Sequence, residues 1–402
     1  MANVSVIGLG YIGLPTAAVL GSHGHKVFGC DVNQNTVDII NSGRAHVIEP
    51  DLDAAVESAV SSGSFKAFTT PQTADVYIIV VPTPFKGEAA GVPQPDMSYV
   101  ESAAKAISLL VKEGDLVILE STSPVGATRK NVANVIEGAR PELKNKLHYC
   151  YCPERVLPGQ ILTELIENDR VVGGLTPQAA SKAKAFYKTF VKGEVFETIA
   201  EQAELVKLTE NTYRDINIAF ANELSSICDD KNLNVWEVIK FANRHPRVNV
   251  HFPGPGVGGH CIAVDPWFIV AGSPEKAKLT HLARTINDAK PAYVVDQILK
   301  GIQQTGTNTV ALLGMAYKPD VDDLRESPSV EIAKLLKTKT DAKILIVEPY
   351  VESMDGFELA DTQTAVKEAG VVAMLTNHKE FLDITLGELE GKAVVDTRGV
   401  WA

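Results

Sequence analysis

The stretch from Asn3 to Asp31 constrains this chain more than any other part of it. Asn3–Gly8 reads as a short apolar strand, Tyr11–Ser22 has helical spacing, and Lys26–Asp31 reads as a second strand ending in an acid. Gly8-Leu9-Gly10-Tyr11-Ile12-Gly13 falls where the first strand meets the helix, and Asp31 lies 18 residues beyond Gly13. The glycine pattern alone is weak. Between a strand and a helix, with an acid ending the next strand, it points to a dinucleotide site. Gly8 permits the tight turn, Gly10 lets backbone approach a pyrophosphate seated on the helix N-terminus, and Gly13 lets the helix pack closely on the strand. Tyr11 and Ile12 lie inside the turn and join the expected cofactor contacts. Asp31 would accept from a ribose 2′-hydroxyl and repel a 2′-phosphate. No Arg stands among Val32, Asn33 and Gln34, so NAD is expected over NADP. The alternative is a glycine-rich turn that binds nothing.

The alternation continues. Val76–Val81 and Leu116–Glu120 are further buried-strand candidates around a helical Met97–Val111, and Val171–Gly174 and Val195–Ile199 read as added strands. Glu201–Lys231 has no Gly or Pro and places Val206, Tyr213, Ile216, Phe220, Leu224 and Ile227 at helical spacing. Val235–Asn243 and Lys276–Gln304 are also helical, and between them Arg244–Asp265 is too long and broken for a turn, which marks a functional loop. From Asn308 strands return at Thr309–Met315, Ile344–Val347, Val371–Leu375 and Ala393–Asp396. The expected fold is α/β, with two Rossmann-like doubly wound parallel sheets joined by a long helical linker. The 402 residues divide into residues 1–200 for NAD, 201–305 for the helical linker, dimerisation and catalytic loop, and 306–402 for the second sheet.

Composition narrows the class. Lys and Arg number 38 against 50 Asp and Glu, a net charge of −12, which argues against a broad nucleic-acid surface but not against an anionic small ligand met by a few aimed cations. No apolar run reaches membrane-spanning length and no signal peptide is evident, so neither a membrane nor export is expected, and the cytoplasm is the default compartment. Cys30, Cys150, Cys152, Cys228 and Cys261 are an odd, scattered set, neither a disulfide framework nor a zinc site; no metal is expected.

Several constellations can carry chemistry. Val81-Pro82-Thr83-Pro84 and Ser121-Thr122-Ser123-Pro124 each end a strand of the first sheet, so Thr83 and Thr122 can line the cofactor cleft or serve only as turn residues. Glu204, Lys207, Asn211 and Asp215 share a polar helix stripe that is either solvated or faces a cleft. Gly258-Gly259-His260-Cys261, followed by Asp265, leaves the Cys261 thiol unobstructed backbone. A cation such as Lys207 nearby would favour the thiolate, though a loop cysteine is often passive. Glu154, in Pro153-Glu154-Arg155, is either a base in the cleft or an ordinary salt-bridged acid. Lys318 and Arg325 follow the first strand of the second sheet and suit a diphosphate, and Arg398 ends its last strand in the same way.

GLGYIG, VPTP, STSPVG, PER, KLTENTYRDINIAFANE, GGHC and GMAYKPDVDDLRESPS, in that order over nearly the whole chain, resemble the UDP-glucose/GDP-mannose dehydrogenase family. The resemblance implies NAD-dependent four-electron oxidation of C6 of a UDP-sugar to the acid by a homodimer, with Cys261 forming a thiohemiacetal and then a thioester. It implies that Lys207 and Asn211 stabilise the oxyanion, Thr122 and Asp265 hold the water, and Glu154 assists proton transfer at hydrolysis. It also implies sugar-nucleotide contacts from Glu154, Arg155, Lys207, Asn211, His251, Gly254, Gly258, Tyr317, Lys318 and Arg398. Arg247 would reach the sugar from a neighbouring subunit, and Arg325 would stand with the cofactor contacts. PERVLPG, with Pro158 where the glucose type commonly has an acid, and NRHPRVNVHFPGPGVGGHC resemble the branch of the family acting on UDP-N-acetylmannosamine; the alternative is the branch acting on UDP-N-acetylglucosamine, which shares PER.

Overall fold

The computed structural model describes residues 1–259 and 261–402, so His260 of the GGHC run lies outside the described residues. The chain divides into two compact units, Met1–Thr209 and Glu210–Ala402. In the first, β1 (Asn3–Ile7), β2 (Lys26–Cys30), β3 (Phe65–Phe68), β4 (Val76–Ile79), β7 (Leu116–Leu119), β8 (His148–Tyr151), β9 (Arg170–Gly174) and β10 (Val195–Ile199) form one sheet. A hairpin of β5 (Phe85–Ala89) and β6 (Val92–Pro95) stands apart from it. The sheet order is β10-β9-β8-β7-β4-β1-β2-β3. From β1 the chain winds outward through β2 to β3, then returns to the other side of β1 with β4, so the crevice between the carboxyl ends of β1 and β4 is the switch point. Val4 and Val6 point into one core and Ile7, Tyr77 and Ile79 into the other, as two-sided burial of a parallel sheet requires.

The sheet is not parallel throughout. β8 and β9 run antiparallel, pairing Cys150 with Gly174 and Tyr151 with Gly173. Arg170 opens β9, and its guanidinium is bonded to Glu154 just past the end of β8, so β9 starts where β8 stops and runs back. The hairpin also departs from expectation. Its strands are largely exposed and lack an apolar alternation, and its tight turn rests on Ala90 and Gly91, both at positive φ.

In the second unit β11 (Thr309–Leu313), β12 (Lys343–Val347), β13 (Val371–Met374) and β14 (Ala393–Asp396) make a wholly parallel sheet ordered β12-β11-β13-β14, with its switch point between β11 and β13. Val310 and Leu312 face one core, Ala311 and Leu313 the other.

The helix Ala200–Asp230 reverses the usual polarity. Glu204, Asn211, Asp215 and Asn222 are buried, while Tyr213, Phe220 and Ile227, spaced seven apart, are exposed. The polar stripe faces inward because each member has a buried partner. Glu204 accepts from the backbone N–H groups of Gly126 and Thr128 and from the Thr128 hydroxyl. Asp215 accepts from Arg284 Nη1 at 2.6 Å and from Asn287, and Asn222 donates to Asn287.

Candidate active site

The geometry of the first turn follows from its glycines. Gly8 has φ +96°, and a Cβ there would stand 2.2 Å from the Val80 carbonyl oxygen. A Cβ on Gly13 would meet the Gly8 oxygen at 1.8 Å, whereas one on Gly10 would meet nothing within 4 Å. Gly8 and Gly13 are thus required by the fold itself, while Gly10 leaves open space over backbone at the start of the Gly13–Ser22 helix, whose first turn has no side-chain cap. Asp31, half-buried past the end of β2, accepts from Leu9 N–H at 3.2 Å and Asn33 N–H at 3.0 Å. An open backbone cradle and a carboxylate at the next strand end fit NAD, whose pyrophosphate Gly8, Gly10 and Gly13 would receive and whose ribose Asp31 would meet. Tyr11 and Ile12 are partly accessible in the same turn.

The neighbouring strand ends converge on that edge. Val81 N–H donates to Ser121 Oγ at 2.9 Å, which ties the turn after β4, with the half-buried Thr83, to the turn after β7, with the half-buried Thr122, at the same edge of the sheet as the glycine turn.

At the far end of this row Glu154 is buried. Its Oε1 accepts from Arg155 N–H at 2.6 Å and its Oε2 from Arg170 Nη1 at 3.2 Å. Lys207 Nζ donates to the Glu154 carbonyl oxygen at 2.8 Å, so the helix stripe reaches the PER segment. Arg155 sends its guanidinium to the Asp169 carbonyl at 2.5 Å, where it braces the loop.

In the second unit Asn211 Nδ2 donates to Asp265 Oδ2 at 2.5 Å, both side chains being buried. The Cys261 carbonyl accepts from Val264 and Asp265 N–H groups at 3.1 and 2.8 Å, so the cysteine sits one turn ahead of the Asp265–Gly272 helix, directly tied to Asp265. Cys261 is exposed while Cys30, Cys150, Cys152 and Cys228 are buried. Burial pushes the Cys30 thiol up to about 11 and the Cys152 thiol up to about 12, so those two stay protonated and inert.

The glycines ahead of Cys261 pack against the second sheet. A Cβ on Gly258 would stand 2.5 Å from the Glu326 carbonyl and 2.9 Å from Tyr317 Cβ, and one on Gly254 3.0 Å from Arg398 Nη1. Gly254 N–H donates to Asn222 Oδ1 at 2.9 Å. Gly254 thus packs on Arg398, whose Nε donates to the Leu375 carbonyl at 2.7 Å, and Gly258 packs on Tyr317. His251 is half-buried, Arg247 and Lys318 are exposed, and Arg325 is exposed with its fork on Asp323 at 2.6 and 2.8 Å. Among the described residues no group of three or more His, Cys, Asp or Glu is arranged to hold a metal, and no helix is long and apolar enough to cross a membrane.

Sequence reading missed Arg170, which bonds Glu154, and the Tyr187–Glu120 pair: these residues are far apart in the chain and belong to no motif. It also missed Glu348 and His378, which brace the turn after β11.

Comparison with known proteins extends over the whole chain. Models of the UDP-glucose/GDP-mannose dehydrogenase family match residues 2–191 (NAD binding domain), 201–289 (central domain) and 311–402 (UDP binding domain). A UDP-N-acetyl-D-mannosamine dehydrogenase from Yersinia pestis is 52% identical over 420 aligned positions covering 99% of both chains. An NDP-N-acetyl-D-galactosaminuronic acid dehydrogenase from Ralstonia nicotianae is 49% identical, covering 100% of this chain and 96% of the relative. Among solved structures, a UDP-D-ManNAc dehydrogenase from Pyrococcus horikoshii superposes with a TM-score of 0.90 at 35% identity, covering 100% of this chain and 96% of that one.

Proposed function

Because the chain belongs to the UDP-glucose/GDP-mannose dehydrogenase family, we propose that it is an NAD-dependent 6-dehydrogenase that oxidises UDP-N-acetyl-D-mannosamine to the uronic acid in two successive steps. The observation that carries the reading is Cys261, the exposed thiol of the five, set against Asp265 and followed by a paired Asn211–Asp265 contact. The choice of sugar rests on the 52% identical relative of that name.

NAD, when bound, accepts the hydride in each oxidation. Cys261 adds as thiolate to the aldehyde carbon, which ties the half-oxidised sugar to the protein as a thiohemiacetal. Lys207 and Asn211 stabilise the oxygen that gains charge in this step. After the second oxidation the bond to Cys261 is a thioester. Water held by Thr122 and Asp265 attacks it, Glu154 takes a proton from that water, and the thiolate leaves as the carboxylate is released. Gly254, Gly258, Tyr317, Lys318 and Arg398 hold the UDP-sugar, joined by His251 and Arg155. Arg247 reaches it from a neighbouring subunit, and Arg325 stands near the cofactor.

The active form is a homodimer. Tyr213, Phe220 and Ile227 on the long helix and Leu279 and Leu282 on the Lys278–Thr305 helix form an exposed apolar face of the second unit, and a second copy of this face is a suitable cover. A cytoplasmic location fits a UDP-sugar substrate and NAD.

A panel of UDP-sugars assayed for NAD reduction tests the assignment. UDP-N-acetylmannosamine should give the highest kcat/KM. Equal or faster turnover of the N-acetylglucosamine or N-acetylgalactosamine sugar would reassign the substrate.

A further inference from the structure

Behind Glu154 lies a buried group of side chains that the mechanism leaves unused. Glu120 follows β7, Cys152 and Glu154 follow β8, Arg170 opens β9, and Tyr187 ends the Pro177–Tyr187 helix. All five are buried. Tyr187 donates its hydroxyl to Glu120 Oε1 at 2.5 Å, and the Arg170 guanidinium carbon lies 5.2 Å from the centre of the Tyr187 ring. Arg170 bonds Glu154 Oε2, the Leu165 carbonyl and, at 3.9 Å, the Cys152 sulfur. Glu120 Oε2 and Arg170 Nε have no hydrogen-bond partner among the described residues.

The charge balance is uneven. There are two carboxyls, Glu120 and Glu154, and one cation, Arg170, because the buried Cys152 thiol and the buried Tyr187 phenol are both held in their neutral forms. Arg170 is bonded directly to Glu154, so a negative Glu120 would leave one oxygen charged and unpartnered in the interior, which is far costlier than a neutral carboxyl.

We propose that Glu120 is a positioning residue for Glu154. By keeping its proton it leaves Arg170 wholly to Glu154, and by losing it, it competes for Arg170. Burial, with Glu154 adding to it, pushes the Glu120 carboxyl up to about 7 against the pull of Arg170 and Tyr187, so the exchange falls within the working range of a neutral-pH enzyme. Catalysis that depends on Glu154 then changes as pH rises through that region, although Glu120 touches no substrate.

The inference rests on the proposed acid–base role of Glu154, and the test keeps the two apart. The measurement is kcat against pH from 5.5 to 9 for the full-length enzyme and for Glu120→Gln, Tyr187→Phe and Glu154→Gln. Glu120→Gln mimics the protonated acid and should remove the inflection near pH 7 while keeping kcat below that pH within about threefold. Tyr187→Phe removes a hydrogen bond to the charged form and should move the inflection upward by several tenths of a pH unit. An unchanged profile in Glu120→Gln overturns the coupling. If that variant does not fold, an unmoved inflection in Tyr187→Phe overturns it instead. Full kcat in Glu154→Gln would instead remove Glu154 from the reaction.

Discussion

The two sheets begin in the same way and diverge within a few residues. In each, the first strand ends in a glycine at positive φ: Gly8 at +96° with a Cβ that would lie 2.2 Å from the Val80 oxygen, and Gly314 at +86° with one 2.2 Å from the Thr376 oxygen. In each, an acid ending the adjacent strand accepts from the N–H that follows the glycine: Asp31 from Leu9, Glu348 from Met315 at 2.6 Å. There the likeness stops. Asp31 is half-buried, and the chain after Gly8 runs at once into the Gly13–Ser22 helix. Glu348 is buried and also takes Ala316 N–H at 2.9 Å and His378 Nε2 at 3.0 Å, while no helix starts until Pro328. One carboxylate has capacity left for a ribose, and the other is spent on bracing its turn. A similar turn thus leaves acceptor capacity on its acid in one unit and holds up a loop bearing Tyr317, Lys318 and Arg325 in the other.

The largest effect should come from the nucleophile proposed for the second unit. Cys261→Ala should lower acid formation by roughly 10³-fold or more while UDP-sugar and NAD affinities, measured by calorimetry, stay within about threefold. Near-normal uronic acid production by this variant would remove the covalent step. The turn comparison is broken most directly by paired acid substitutions. Asp31→Ala should weaken NAD binding by about 1.5–3 kcal/mol, roughly 10- to 100-fold, and erode the preference over NADP. Glu348→Gln should leave the KM for NAD unchanged but lower unfolding stability by about 1–3 kcal/mol, because its buried donors lose a charged acceptor. If the two variants swap these phenotypes, the comparison is wrong.

A pH dependence sharpens the same contrast. Burial works against the charge on Glu348, but the hydrogen bonds from His378, Ala316 and Met315 outweigh it and hold its carboxyl below the ordinary 4.5. A depressed carboxyl stabilises the fold above its unfolded value and loses that contribution as pH falls through the folded one. The Tm gap between wild type and Glu348→Gln should therefore close below about pH 4.5. Glu120 has the opposite sign. Its raised carboxyl stabilises the fold fully below 4.5 and loses that contribution as pH rises toward about 7, so Glu120→Gln should flatten the slope of stability over that window. The smallest effect is expected at Arg325→Lys, a several-fold rise in KM for the cofactor or the UDP-sugar, because the guanidinium fork is lost while the charge stays.

The parts legible in the sequence were those written locally. The Gly8–Gly13 turn, Asp31, the strand ends at Thr83 and Thr122 and most strand limits follow from spacing and apolar runs within a few residues. Relations between distant segments were not legible. The antiparallel β9 depends on Arg170 meeting Glu154, 16 residues apart. The long helix is a related case: spacing alone left its polar stripe open between solvent and a cleft, and the stripe is buried, with Tyr213, Phe220 and Ile227 exposed, because Thr128, Arg284, Asn287 and Asp265 wait to meet it. Periodicity identifies a helix and its faces. Which face turns inward is decided by partners far away in the chain.

The central claim is that one protein carries a UDP-sugar through two oxidations without releasing the aldehyde. It is tested most directly by counting NADH formed per UDP-N-acetylmannosamine consumed at completion. The account predicts two, with the uronic acid as the sole sugar product. A ratio of one, with aldehyde accumulating, would contradict it.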